Sequence, residues 1–134
     1  MTDTILVPVS AGELIDKITI LNIKQAQIAD DAKLANIRYE LAELEKVRAR
    51  LIDSVGDAYA QIPALEQELT DVNLKLWNAE DAIRDLERDG NFGSAFVDVA
   101  RSIYRLNDGR ASAKRKINLA LGSSIVEEKG YAQY

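Results

Sequence analysis

The chain has 134 residues, with 17 Lys plus Arg against 22 Asp plus Glu for a formal charge of -5, and it contains neither His nor Cys. Without imidazole or thiol it has no Ser-His-Asp or Cys-His triad, no His or Cys zinc site, no haem His ligand and no disulfide. The length suits one domain, 1–134, burying roughly two-thirds of the unfolded chain's surface, and the 47% hydrophobic content fits a globular protein rather than a disordered one.

The N-terminus carries no basic leader, and no run approaches the roughly 18 apolar residues a membrane span needs, so a soluble cytoplasmic protein is expected. Ile5, Leu6, Val7 and Val9 form a short β-prone run that ends at Pro8 and Ser10. Ser10 to Glu13 then matches a capping box, with Ser10 accepting from the N3 amide and Glu13 reaching back, so a helix starts at Ala11. Its apolar positions Leu14, Ile18, Leu21 and Ile28 follow a 4,3 rhythm, while Ile15, Ile20 and Ile23 point elsewhere. This helix is therefore expected to be central, touching more than one neighbour.

Asp30-Asp31 supplies the next cap, and Leu34, Ile37, Leu41, Leu44 and Leu51 take heptad a and d positions interrupted by Arg48. Gly56, Asp57 and Pro63 mark a connection. The clearest helical signal follows, with Leu65, Leu69, Val72, Leu76, Ala79, Ile83 and Leu86 in step until Gly90 and Gly93. In the last long segment Phe96, Ala100, Ile103, Asn107, Arg110, Lys114, Ile117 and Leu121 share one stripe, whose phase crosses Asn107-Asp108-Gly109 and favours one helix over a turn there. Ile125 to Tyr131 reads as extended. The pattern predicts an all-α fold: an elongated antiparallel four-helix bundle whose extended N- and C-terminal segments pair. So elongated a bundle leaves apolar flank uncovered, and a homodimer is the expected remedy.

The runs VPVSAGELIDKITIL (7 to 21), NLKLWNAEDAIRDLE (73 to 87), SIYRLNDGRASAKRKIN (102 to 118) and IVEEKGY (125 to 131) together resemble a family of short bacterial domains of unknown function. The resemblance implies a soluble, mostly helical domain. It also implies members beside or fused to glycosyltransferase and tetratricopeptide-repeat proteins, and hence a setting in surface-polysaccharide metabolism. It assigns no role to any residue.

Charge is unevenly spread. Residues 101–118 hold six basic side chains against the single acid Asp108, while the rest of the chain is strongly acidic. Clustered Arg and Lys suit phosphate or carboxylate, the guanidinium as a planar donor fork and the ammonium as a compact charge. Asn107, Arg110 and Lys114 are the informative members because they lie on the seam. On the preceding helix Asn73, Trp77, Glu80 and Arg84 recur at 4,3,4 spacing, offering a ring for stacking and groups for ligand hydroxyls, with Lys17 and Asn22 of the first helix as further walls. The same residues equally suit a structural network: polar seam residues fix register, long basic chains snorkel to water, and Glu80 pairs with Arg84 at i,i+4.

An alternative is acidic. Glu40-x-x-Glu43 and Glu68-x-x-Asp71 look like the Mg²⁺ motif of all-α nucleoside triphosphate pyrophosphohydrolases, although their heptad positions g and c do not both face a neighbour. LIDKITIL resembles the first helix of the helical chorismate mutases, yet the first helix here contains no Arg. A small anionic ligand fits the basic stretch better than nucleic acid, given the surrounding acidity and 6% aromatic content. No helix pairs a basic face with a free apolar one for membrane binding. The sequence thus favours a non-catalytic module without cofactor, binding a protein partner or small anion, over a Mg²⁺-dependent enzyme.

Overall fold

The computed structural model describes residues 2–134, among which there is no β-strand. Helix α1 spans Ala11–Gln27, α2 Asp31–Val55, α3 Ile62–Arg88 and α4 Ser94–Leu121. A 3-10 turn at Gly56–Gln61 joins α2 to α3, so helical elements follow one another without a gap from 31 to 88 and the described residues form three continuous helical stretches. The all-α class expected from periodicity is observed. The count is three stretches rather than four separate helices because the Gly56 to Pro63 connection is itself a 3-10 turn, and the chain departs from helical dihedrals only at Gly56. Gly56 supplies the positive φ of 58° that this turn requires, and Pro63 falls in the first turn of α3, where a missing N–H removes no helical hydrogen bond.

The caps explain the helix starts. The Ser10 hydroxyl accepts from the Glu13 amide at 3.0 Å, and Asp30 accepts from the Lys33 amide at 2.9 Å. Asn107-Asp108-Gly109 does not interrupt α4.

Helix α1 is the centre of the molecule and touches α2, α3 and α4, while α3 and α4 pack on each other as a long hairpin. Helix α2 rests on α1 and is tied to α3 by Arg48, which bonds Glu45 on its own helix and Glu66 across the gap. Ile15, Ile62, Leu69, Ala113 and Ile117 form the core where α1, α3 and α4 meet. Burying each of the larger aliphatic side chains contributes about 2 kcal/mol.

The expected pairing of the terminal segments as strands is not found among the described residues. Residues 2–9 and 123–134 lie outside any regular element, with Ile5 and Leu6 exposed. The two ends do meet, but through side chains: the Ser10 hydroxyl donates to Glu127, and the Ala11 amide donates to the Ser123 hydroxyl at 3.2 Å.

Candidate functional site

The middle of the molecule is organised around Asp16, an α1 carboxylate with 0% exposure. Arg110 of α4 grips it with Nε at 3.0 and 3.2 Å from the two oxygens and with Nη2 on Oδ2. Asn73 of α3 donates to Asp16 Oδ1 at 2.8 Å and to the Thr19 hydroxyl at 2.9 Å, while that hydroxyl donates to the Asp16 carbonyl at 2.7 Å. A buried carboxylate needs partners, and Arg110 and Asn73 supply them from α4 and α3, with Thr19 of α1 holding the Asn73 amide. Asp16 holds the Arg110 guanidinium above its ordinary pKa against the opposing effect of burial, with Glu13 adding to the same direction.

A second network closes the end of the bundle. Lys114 donates to Glu13 at 2.5 Å and lies 4.0 Å from Glu127. The Gly12 amide donates to Asn118 Oδ1 at 2.6 Å, and Asn118 donates in turn to Glu127 at 2.9 Å. Burial pushes the Glu127 carboxyl up, but hydrogen bonds from Ser10, its own backbone and Asn118, with the Lys114 charge, prevail and lower its pKa. The Glu13 side chain therefore faces Lys114, and also Lys17 at 3.9 Å, instead of turning back to the Ser10 amide as a full capping box requires.

Two clefts flank this polar middle and share Asn107 and Arg110 as a common wall. The smaller, about 370 Å³, lies between α1, α3 and α4. Asn73, Leu76, Trp77, Glu80, Asp81 and Arg84 line it from α3, and Ile20 and Ile23 from α1. The larger, about 940 Å³, lies between α4 and the C-terminal segment, and Lys114 opens onto it. Six of the seven residues singled out in the sequence thus meet at the smaller cleft, and the seventh, Lys114, sits in the neighbouring one.

Several expectations change in this light. Lys17 and Asn22 are exposed and do not wall the smaller cleft; Ile20 and Ile23 take that place, so its α1 side is apolar. Arg110 and Lys114 do not face an open anion site with their full charge, because α1 presents Asp16 and Glu13 to them. Arg110 retains Nη1, which has no protein acceptor among the described residues. Glu80 and Arg84 pair with each other at the rim, as their i,i+4 spacing allows. Asp16, Thr19 and Asn118 were the residues that sequence reasoning missed. Their signal was polar side chains within otherwise apolar helical faces.

The four acids of the Mg²⁺ alternative are dispersed among separate partners. Glu43 pairs with Lys46, Glu68 with Lys116 at 2.8 Å, and Asp71 accepts from Gln67 at 2.9 Å, while Glu40 is exposed on α2. Among the described residues no three His, Cys, Asp or Glu side chains are grouped so as to hold a metal ion. No helix is long and apolar enough to cross a membrane.

Residues 5–134 match the family described as "Family of unknown function (DUF6165)". No curated protein and no solved structure matches the chain.

Proposed function

Since the chain belongs to this family of unknown function, its role has to be read from its own residues, and we propose that it is a non-catalytic helical binding module whose α1–α3–α4 cleft takes a small anionic ligand of the hexose phosphate class. The supporting observation is the convergence of Asn73, Trp77, Glu80, Arg84, Asn107 and Arg110 on that one cleft. Trp77, Leu76, Ile20 and Ile23 offer an apolar wall for the flat C–H face of a sugar. Asn107 and Glu80 suit its hydroxyls. Arg84 and the free Nη1 edge of Arg110 suit its phosphate. Asn73 belongs to the scaffold in this arrangement, because its amide is spent on Asp16 and Thr19, and Lys114 contributes from the adjoining wall.

The resemblance to bacterial domains beside glycosyltransferase and tetratricopeptide-repeat proteins makes a sugar phosphate the first class to test, and a cytoplasmic location agrees with it. A homodimer is the second element of the proposal, supported by the exposed apolar side chains of Ile52, Leu74, Val97 and Leu119; sedimentation velocity showing only monomer would remove it.

Trp77 is the chain's one tryptophan, so its fluorescence reports directly on the cleft. Glucose 6-phosphate is expected to change that emission saturably, with glucose or inorganic phosphate alone at least about tenfold weaker. Asn107→Ala and Arg84→Ala should each weaken the response by roughly fivefold or more. An emission unchanged up to about 10 mM glucose 6-phosphate, well beyond a millimolar dissociation constant, refutes the proposal.

A further inference from the structure

Residues 123–134 turn back at Gly122, whose φ is 61°, and return antiparallel along α4. Their side-chain partners descend the helix in order: Glu127 meets Asn118, Glu128 meets Arg115 at 3.4 Å, and Lys129 meets Asp108 at 2.8 Å. Tyr134 then donates to Asp108 at 2.5 Å and packs edge-on against Tyr104 with ring centroids 5.0 Å apart. The segment is a strap, fixed at its root by the part-buried Ser10–Glu127–Asn118 network and at its tip by exposed contacts alone.

Between strap and helix lies the open cleft of about 940 Å³, near the upper end of the roughly 300–1,000 Å³ usual for small-molecule sites. Three phenol rings (Tyr104, Tyr131, Tyr134) and three cations (Arg110, Lys114, Lys129) line it; the cations pair with Asp16, Glu13 and the lining carboxylate Asp108, which leaves the remaining N–H groups of Lys114 and Lys129 for a ligand. Rings and cations together select a ligand that carries a flat π-face and an anionic group on one skeleton. A bare phosphate leaves the tyrosines unused, and a neutral aromatic leaves the cations unused. A long polyanion is disfavoured because Asp16 and Glu13 stand behind Arg110 and Lys114 and reduce the local charge.

We propose that the cleft between α4 and the C-terminal strap binds a nucleoside phosphate, its base against the tyrosine rings and its phosphate on Lys114 and Lys129, with the strap as the lid over it. Exposed ion pairs at the tip contribute little to holding the strap down, so it opens readily while its root stays fixed. This site adjoins the sugar-phosphate cleft across the shared Asn107 and Arg110 wall, but its tyrosines and Lys129 line it alone, and it does not rest on that reading.

The test is a titration of the full chain with AMP, followed through tyrosine ring resonances by NMR and through affinity by equilibrium dialysis. AMP should bind saturably and shift the ring signals of Tyr104, Tyr131 and Tyr134, whereas adenosine and inorganic phosphate bind at least about tenfold more weakly. Tyr104→Ala and Lys129→Ala, both at exposed positions, should each lower AMP affinity by about fivefold or more. Trp77→Ala, in the other cleft, should leave it within about twofold. The proposal is overturned if AMP shows no saturable binding up to about 10 mM, if binding survives both strap-cleft substitutions, or if it is lost in Trp77→Ala and kept in Tyr104→Ala. Loss of glucose 6-phosphate binding without loss of AMP binding removes only the function proposed for the smaller cleft.

Discussion

Arg110 Nε lies 3.0 Å from Oδ1 of Asp16, joining the polar middle of α4 to a carboxylate wholly excluded from solvent on α1. The Arg110 side chain keeps 31% of its surface exposed. The pair is therefore asymmetric: the acid depends on the base more than the base depends on the acid. Removing the base strands a buried charge, whereas removing both costs much less. Arg110→Ala should lower the unfolding free energy in urea by about 3 kcal/mol, and Arg110→Lys should recover only part because one ammonium cannot reproduce the two-pronged contact. The double variant Asp16→Leu with Arg110→Met should be more stable than Arg110→Ala alone. Equal stability of Arg110→Ala and the native chain would show that Asp16 finds another partner. For the same reason Arg110→Ala is a poor probe of ligand binding, and Asn107 and Arg84 carry that test.

At Gly12 the backbone of α1 lies close against that of α4. A Cβ there would stand 2.5 Å from the Lys114 carbonyl oxygen and 2.8 Å from Asn118 Oδ1. The first is backbone in the middle of a helix and yields only if the helices separate. Gly12→Ala should therefore destabilise by about 1–3 kcal/mol, although alanine is the better helix former. A thermal midpoint at or above that of the native chain would contradict this contact.

Ser10 both caps α1 and donates to Glu127. Ser10→Ala should cost about 1 kcal/mol through the cap, and it should also change the acid response. Burial works against the charged Glu127, but its hydrogen bonds and Lys114 lower its pKa below the ordinary 4.5. A carboxyl lowered in the folded state stabilises the protein above its unfolded pKa and loses that contribution as pH falls through the folded one. Urea midpoints compared at about pH 7 and about pH 3 should show a smaller acid-induced drop in Ser10→Ala than in the native chain. Identical drops would mean that Ser10 does not set the Glu127 pKa.

Glu68 and Lys116 form an exposed pair between α3 and α4. Such pairs contribute little, and Glu68→Gln is expected to change stability by less than about 0.5 kcal/mol. With Glu40, Glu43, Glu68 and Asp71 held by separate surroundings, millimolar Mg²⁺ should leave the thermal midpoint of both proteins unchanged. A Mg²⁺-dependent rise that disappears in Glu68→Gln would reinstate the pyrophosphohydrolase resemblance.

The elements legible in the sequence were those dictated locally. The Ser10 and Asp30 caps, the unbroken phase of α4 across Asn107-Asp108-Gly109 and the many-sided apolar surface of α1 all follow from short-range spacing, and all are present. What escaped depends on residues far apart in the chain. Asp16 and Arg110 are separated by 94 positions and Glu13 and Lys114 by 101, so no periodicity could reveal that the basic stripe of α4 is met by acids from α1. The same blindness explains the strands expected at Val7 and Ile125. Both segments have β-prone residues, but the side-chain contacts of Ser10, Ser123 and Glu127 bring the ends together without a ladder. The Trp77 row was legible because its residues share one helix face; its apolar opposite wall, Ile20 and Ile23, was not, because Lys17 and Asn22 presented the more conspicuous chemistry.

The central position of α1 also bears on the order of events during synthesis. Helix α1 is made first, yet the groups that satisfy Asp16, Glu13 and the Gly12 amide reside at Arg110, Lys114 and Asn118. Until those residues emerge, Ile15 and Ile18 lack part of their cover and a charged carboxylate remains in water. The chain cannot settle its core in the sequence in which it is translated, and a nascent form halted before α4 is the species most exposed to misassembly or capture by a chaperone.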